Sequence, residues 1–171
     1  MTVGDLQRML YVEAKAEPEK RLHSLYDKIQ RTDVLNEAWE FVRRNRGSPG
    51  IAGRTIEETK EQGVETPLNE IQSELGTKTY IPLPLKRMYI PKANGQYRLR
   101  SIPIVRDRIK QTAIKLIVKP ISKTQFESYS LGFGPDKSAH NAVDEIVKYL
   151  NFGCENIIDA YHSLFRQYRQ A

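Results

Sequence analysis

An α+β fold is what this sequence predicts, on three observations. Apolar residues recur at three- and four-residue spacing in the first part of the chain and again after Arg106. Two extended runs flank the dipeptide Asn94-Gly95, and the short run Asn156-Ile157-Ile158 has the character of a buried strand.

Val3 to Ile29 is polar with scattered apolar residues (Leu6, Met9, Leu10, Val12, Leu22, Leu25 and Ile29). It reads as helix interrupted at Glu17-Pro18, because proline disfavours helix in the residue before it. A firmer helix is expected from Thr32 or Asp33, with Leu35, Ala38, Trp39 and Val42 on one face and Glu37 completing the cap. It ends in Arg43-Arg44-Asn45-Arg46, cations suited to a helix C-terminus, and Gly47-Ser48-Pro49-Gly50 follows as a loop. Helix resumes over 55–62. Thr66-Pro67 announces another, a cap residue and then proline at the first helical position, running through Leu68, Ile71 and Leu75 to Gly76.

Beyond this the pattern changes. Tyr80 to Pro91 alternates apolar and polar residues across three prolines, which predicts extended chain at a sheet edge. Lys86 to Ile90 and Tyr97 to Ile102 on either side of Asn94-Gly95 predict a hairpin. Arg106 to Val118 should be a helix that buries Ile109, Ala113, Ile114 and Ile117 and stops before Pro120. Ser138 is expected to cap a last helix to about Leu150, with Ala142, Val143, Ile146, Val147 and Leu150 inward.

Composition narrows the class. At 39% hydrophobic and 28% charged the chain is globular rather than a disordered tail, and 171 residues suffice for one domain or two small subdomains. The net charge of +6 favours a polyanionic partner, through phosphate contacts and release of counterions, although a basic soluble protein without such a partner fits the charge equally well. The single Cys154 excludes an intrachain disulfide and a cysteine-rich zinc site. The opening residues have no signal-peptide core and no apolar run reaches membrane-spanning length, so the expected compartment is the cytoplasm with no membrane partner.

The basic hairpin is the most informative feature. Lys92 and Arg98 lie six positions apart across the turn, so both can converge near its tip, with Lys86, Arg87, Arg100, Arg106 and Arg108 adding charge. Lys as a point charge and Arg as a planar fork suit a triphosphate or a nucleic-acid backbone. On charge alone, a solvated hairpin with incidental cations is slightly favoured.

Three blocks then speak together: LYDKIQRTDVLNEAWEFVRRNRGSPGIAG at 25–53, MYIPKANGQYRLRSIPIVRDRIKQTAIKLIVKPI at 88–121, and FESYSLGFGPDKSAHNAV at 126–143. In order and spacing over roughly 22–160 they resemble the opening of group II intron reverse transcriptases, also called maturases. The resemblance implies part of a right-hand polymerase fold. Residues 1–79 would be a helical extension of the fingers with a template-closing loop, 80–125 the fingers hairpin and helix, and 126–160 the start of the palm. Lys92 and Arg98 match the fingers residues that grip the incoming nucleotide's triphosphate, which tips the hairpin away from the incidental reading. Gly47 to Gly53 resembles the loop that closes over the template, and Ser138-Ala139-His140 the helix start beside it. Arg46, Ser48, Arg87, Arg106, Arg108, Lys137 and His140 are therefore the expected template-binding residues. Asp107, near a helix N-terminus, is expected to be structural. RNA and a deoxynucleoside triphosphate are the implied partners, and a downstream polymerase fragment acting in trans is a further one.

The resemblance breaks at the chemistry. Intact relatives use Mg2+ held by aspartates, the first after two apolar residues, an Asp and a small residue. Ile157-Ile158-Asp159-Ala160 follows that pattern, but the metal position is Tyr161, and a phenol is a poor ligand for an ion that wants hard, charged oxygens. No residue here is expected to hold the metal or to be catalytic. The tail 161–171 matches nothing in the family. With synonymous codons it can be read in another frame as DITRYFDNID, the missing motif, so a frameshift after Ala160 is the expectation. Ala52, Ile81, Leu99-Arg100-Ser101, Gly134 and Asp136 also depart from the family's usual residues. The functional expectation is an RNA-directed DNA polymerase fragment, inactive as a polymerase. The alternatives are a non-enzymatic RNA-binding module and a decay product without function.

Overall fold

The computed structural model describes residues 1–61, 63–126, 130–132, 137–154 and 156. The described elements, in order, are α1 (Val3–Ala16), α2 (Leu25–Ile29), α3 (Thr32–Arg44), α4 (Ile56–Glu61), α5 (Glu65–Thr77), β1 (Lys86–Pro91), β2 (Tyr97–Ile102), α6 (Val105–Lys123) and α7 (Ala139–Asn151). The two strands form one antiparallel sheet, so the α+β expectation holds. By internal contact the chain divides into Met1–Phe126 and Glu127–Ala171.

Within the first unit α6 is the hub, packing against α1, α2, α3 and α5. The core joins Leu6 and Leu10 of α1, Leu35 and Trp39 of α3, Ile71 of α5, and Ile109, Ala113 and Ile117 of α6, all buried. Helical spacing puts these residues on one stripe of each helix, and removing them from water is the main force holding the helices together. Helix α1 ends at the expected break, with Glu17 as its C-cap. Its start is capped by Thr2, whose side chain accepts from the Asp5 N–H while Asp5 accepts from the Thr2 N–H.

Several expectations need correction. Helix α3 begins at Thr32 with Arg31 as its N-cap and no side-chain cap; Asp33 instead accepts two bonds from the Arg31 guanidinium at 3.0 and 2.8 Å, and Glu37 takes no part. Helix α5 begins at Glu65, not Pro67, which places the proline third in the helix, still among the N–H groups without an internal partner. No strand covers Tyr80 to Leu85; β1 starts at Lys86. Ile114 is 44% exposed and Leu116 is buried in its place, because Leu116, three residues after Ala113 and seven after Ile109, continues the stripe that enters the core. In the second unit Ser138 caps α7 with Asn141 as expected, but Val143, Ile146, Val147 and Leu150 are exposed rather than inward, and the helix has no buried residue. The expected strand at 157–158 lies outside the described residues.

Helix α6 also runs through Pro120 to Lys123 instead of stopping before it. Proline has no N–H, so the Leu116 carbonyl four residues earlier loses its helical donor. The Gln7 side-chain amide of α1 donates to that carbonyl at 2.9 Å. A residue from another helix thus repairs the gap, which lets α6 continue past its proline.

Gln7→Ala should cost about 1 kcal/mol in urea unfolding, by orphaning a partly buried carbonyl. In a Pro120→Ala background, where the backbone N–H is restored, the same substitution should cost almost nothing; an undiminished cost would show that Gln7 acts elsewhere. Ile117→Ala, fully buried, should cost about 2–5 kcal/mol.

Candidate nucleic-acid interface

The hairpin register pairs Lys86 with Ile102, Met88 with Arg100, Tyr89 with Leu99, Ile90 with Arg98 and Pro91 with Tyr97. At the turn the Lys92 N–H donates to the Gln96 carbonyl at 2.7 Å, the Gly95 N–H donates to the Lys92 carbonyl at 3.0 Å, and Asn94 Oδ1 accepts from the Gln96 N–H at 3.2 Å. Gly95 has φ +77°, a left-handed conformation that suits glycine. Paired residues share a face and alternate residues lie on opposite faces. Lys86, Met88, Ile90, Arg98 and Arg100 therefore project to one side, and continued alternation puts Lys92 there too. Arg87, Tyr89, Tyr97 and Leu99 project to the other. The two cations expected to act together, Lys92 and Arg98, do share a face near the tip.

Nothing in the hairpin is buried. The side chains of Lys86, Arg87, Lys92, Arg98 and Arg100 make no ion pair or hydrogen bond among the described residues. Nor is there a nearby carboxylate in the chain: from Leu75 to Arg106 there is no Asp or Glu, while Lys78, Lys86, Arg87, Lys92, Arg98, Arg100 and Arg106 all lie in that stretch. A projecting ribbon with unneutralised cations carries a positive potential on both sides, since it is thinner than the roughly 8 Å screening length of physiological salt.

The first turn of α6 positions this ribbon. On the entering leg, the Tyr80 hydroxyl donates to Asp107 Oδ1 at 2.9 Å and the Leu83 N–H to Asp107 Oδ2 at 3.4 Å. On the leaving leg, Arg108 Nε donates to the Pro103 carbonyl at 3.0 Å. Asp107 is buried and each of its oxygens accepts one of these bonds, so it holds the leg as an acceptor. Arg108 also donates to the Ser48 carbonyl, with Gly47 against its guanidinium. A Cβ on Gly50 would lie 2.7 Å from the Ile104 backbone, so glycine lets the 47–50 loop close onto α6.

The other expected template residues are placed differently. Arg106 is drawn inward to Glu74 at 2.8 Å and Glu70 at 3.3 Å, and Arg108 is committed to Pro103 and Ser48. Ser48 itself is exposed, and Arg87 stands on the hairpin face away from Lys92. Arg46 is exposed and, with Arg43, Arg44 and Lys60, lines a concavity of about 420 Å³. Lys60 and Arg44 escaped the sequence reading because their approach depends on how α4 folds back to α3. Lys137 and His140 are exposed in the second unit, at and beside the α7 cap.

A buried cation underlies the site and was also missed. Lys110, 3% exposed, pairs with Glu74 at 2.8 Å and sits 3.5 Å from the centre of the Tyr80 ring. Burial holds its ammonium below the usual lysine range, whereas the Lys110 hydrogen bond holds Glu74 below the usual carboxylate range. Burial and the bond to Asp107 push Tyr80 up to about 12. The sequence signal was Lys110 four residues after Arg106, both reaching the same Glu74.

No family model matches the chain. Protein YkfC of Escherichia coli (strain K12) is 35% identical over 146 residues, 84% of this chain and 38% of that protein. Group II intron-encoded protein LtrA of Lactococcus lactis subsp. cremoris is 33% identical over 125 residues, 71% of this chain and 20% of that protein. The putative COX1/OXI3 intron 2 protein of Saccharomyces cerevisiae is 28% identical over 85 residues. The chain belongs to the group II intron-encoded proteins. It spans less than two-fifths of the length of these relatives. Among the described residues, no helix is long and apolar enough to cross a membrane.

Tyr80 gives this family member a pH signature. Its folded pKa is raised, so the stability it contributes is present below pH 10 and is lost as pH rises toward about 12. A phenolate titration of the chain minus Tyr80→Phe should show one component near pH 12; a component near pH 10 would mean that Tyr80 is solvated. Glu74 runs the other way. Its folded pKa is depressed, so its contribution is lost on acidification below the ordinary carboxylate range, and Glu74→Gln should flatten the acid limb of the stability curve.

Proposed function

We propose that this chain is the fingers and the start of the palm of a right-hand polymerase fold, and that it binds RNA without polymerising. The observation that carries the reading is the projecting hairpin with five cations that have no partner among the described residues, in a stretch free of carboxylate. Such a surface recognises a phosphate backbone through point charges and planar forks, and gains affinity from released counterions. Residues 1–79 then act as the extension of the fingers, 80–125 as hairpin and supporting helix, and 126–160 as the beginning of the palm. Intron RNA is the partner of choice, since relatives are named for the introns that encode them. Within the first unit Arg46, Arg87 and the exposed loop at Ser48 extend the contact, and the second unit by itself offers Lys137 and His140 to RNA. Arg106 and Arg108 act indirectly, by holding α5, the hairpin and the loop in place.

Lys92 and Arg98 share the face that would meet a nucleoside triphosphate. When bound, Mg2+ supplies charge stabilisation of the attacking and leaving oxygens in phosphoryl transfer. The donor set here does not fit it: the first metal position carries Tyr161, and a phenol is a poor ligand for an ion that wants hard, charged oxygens. Polymerisation is therefore not assigned to these residues.

Binding of a structured RNA at rising salt tests the reading. Lys92→Ala and Arg98→Ala should each weaken binding and reduce the logarithmic salt slope by about 0.7–0.9. Binding that is absent at low salt, or a slope unchanged in the double variant, would overturn it. Primer extension on an RNA template with Mg2+ should yield no product, and product above background would overturn the non-polymerising half.

A further inference from the structure

The hairpin has a second face that its cations do not explain. Tyr89 is 64% exposed, Tyr97 68% and Leu99 49%, and the register sets all three on the side opposite Lys92 and Arg98. Tyr89 lies directly across from Leu99 and diagonally across from Tyr97, within reach of an aromatic side chain. Neither hydroxyl has a hydrogen-bond partner among the described residues. A single exposed aromatic residue needs no explanation. Two rings beside a leucine on a ribbon without carboxylates are different, because the ribbon's potential selects what covers them. Arg87 stands on the aromatic face itself, and the long side chains of the opposite face flank a sheet only two strands wide. An acidic peptide could answer the charge, but its carboxylate side chains have no aromatic face to stack on the rings. Unpaired nucleotides supply both, phosphates for the cations and π-faces for the tyrosines.

We infer that Tyr89 and Tyr97 form a stacking platform for the unpaired bases of a single-stranded nucleic acid whose phosphates are held by the hairpin cations. This rests on the RNA-binding reading and adds to it a strand state and two residues. Stacking tolerates any base, so the platform distinguishes single strands from duplex, whose bases are already stacked, and does not read sequence. The cations set how binding responds to salt and the rings set how much the bases matter. The two contributions are therefore separable.

The test compares the full chain's binding of oligoadenylate with its binding of an abasic oligomer of equal length and charge. The oligoadenylate should bind tighter, by roughly tenfold for each engaged ring. Tyr89→Leu and Tyr97→Leu should each erase part of that preference while leaving the salt slope unchanged, and Tyr→Phe at either position should preserve it. Circular dichroism of the Leu variants matching that of the parent keeps a folding defect from imitating the result. Equal binding of the two oligomers by the parent chain, or Leu variants that keep the preference, would overturn the platform. If Lys92→Ala and Arg98→Ala weaken binding while the Leu variants do not, the platform alone fails. If no variant matters, or the parent binds neither oligomer, the RNA-binding reading fails with it.

Discussion

The region from Ile104 to Arg108 is the point through which the first unit is organised. Gly50 closes against the Ile104 backbone, Arg106 reaches α5 through Glu74, Asp107 takes the entering leg of the hairpin, and Arg108 takes the leaving leg together with the loop at Ser48. Consecutive residues of a helical turn point in different directions, about 100° apart, so one turn can address several segments at once. A two-stranded ribbon is marginal on its own in water. Anchoring both legs to one helical turn sets where the ribbon projects without burying either of its faces.

Charge is divided in the same way. Arg106, Arg108 and Lys110 are turned inward and are held by Glu70, Glu74 and backbone carbonyls, with Arg106 Nε buried and without a hydrogen-bond partner among the described residues, and Lys110 also faces the Tyr80 ring. Lys86, Arg87, Lys92, Arg98 and Arg100 are turned outward and make no ion pair or hydrogen bond among the described residues. Buried cations need partners because desolvation is costly, whereas exposed ones keep their water until a polyanion displaces it. Two populations of basic residues thus lie within some twenty-five positions, one that builds the platform and one that presents it. The net charge does not distinguish them.

Helix α6 shows how tertiary structure overrides a local rule. A proline inside a helix removes one hydrogen bond, and from α6 alone the natural reading is that the helix stops before Pro120. The missing donor comes from Gln7, more than a hundred positions away, so no local window contains it. Ile114 differs similarly: its spacing suits a buried stripe, but the stripe that enters the core runs through Ile109, Ala113, Leu116 and Ile117. On α7 the cap was legible because Ser138 and Asn141 are three residues apart, whereas the apolar face has no buried residue.

What the sequence determined by itself was whatever depends on near neighbours. The helical stripes, the Ser138 cap, the break at Pro18 and the hairpin at Asn94-Gly95 all arise from backbone and side-chain preferences acting over a few residues. The ordered motif blocks likewise carried the family, which the intron-encoded relatives at 28–33% identity bear out. Only the tertiary structure decided which cations are committed and which are available. Arg106 and Arg98 read alike in the chain, yet one is held by Glu70 and Glu74 and the other projects from an exposed ribbon. The physical reason is that a guanidinium's role depends on the carboxylates and carbonyls that folding brings within about 3 Å of it, and those partners come from distant segments.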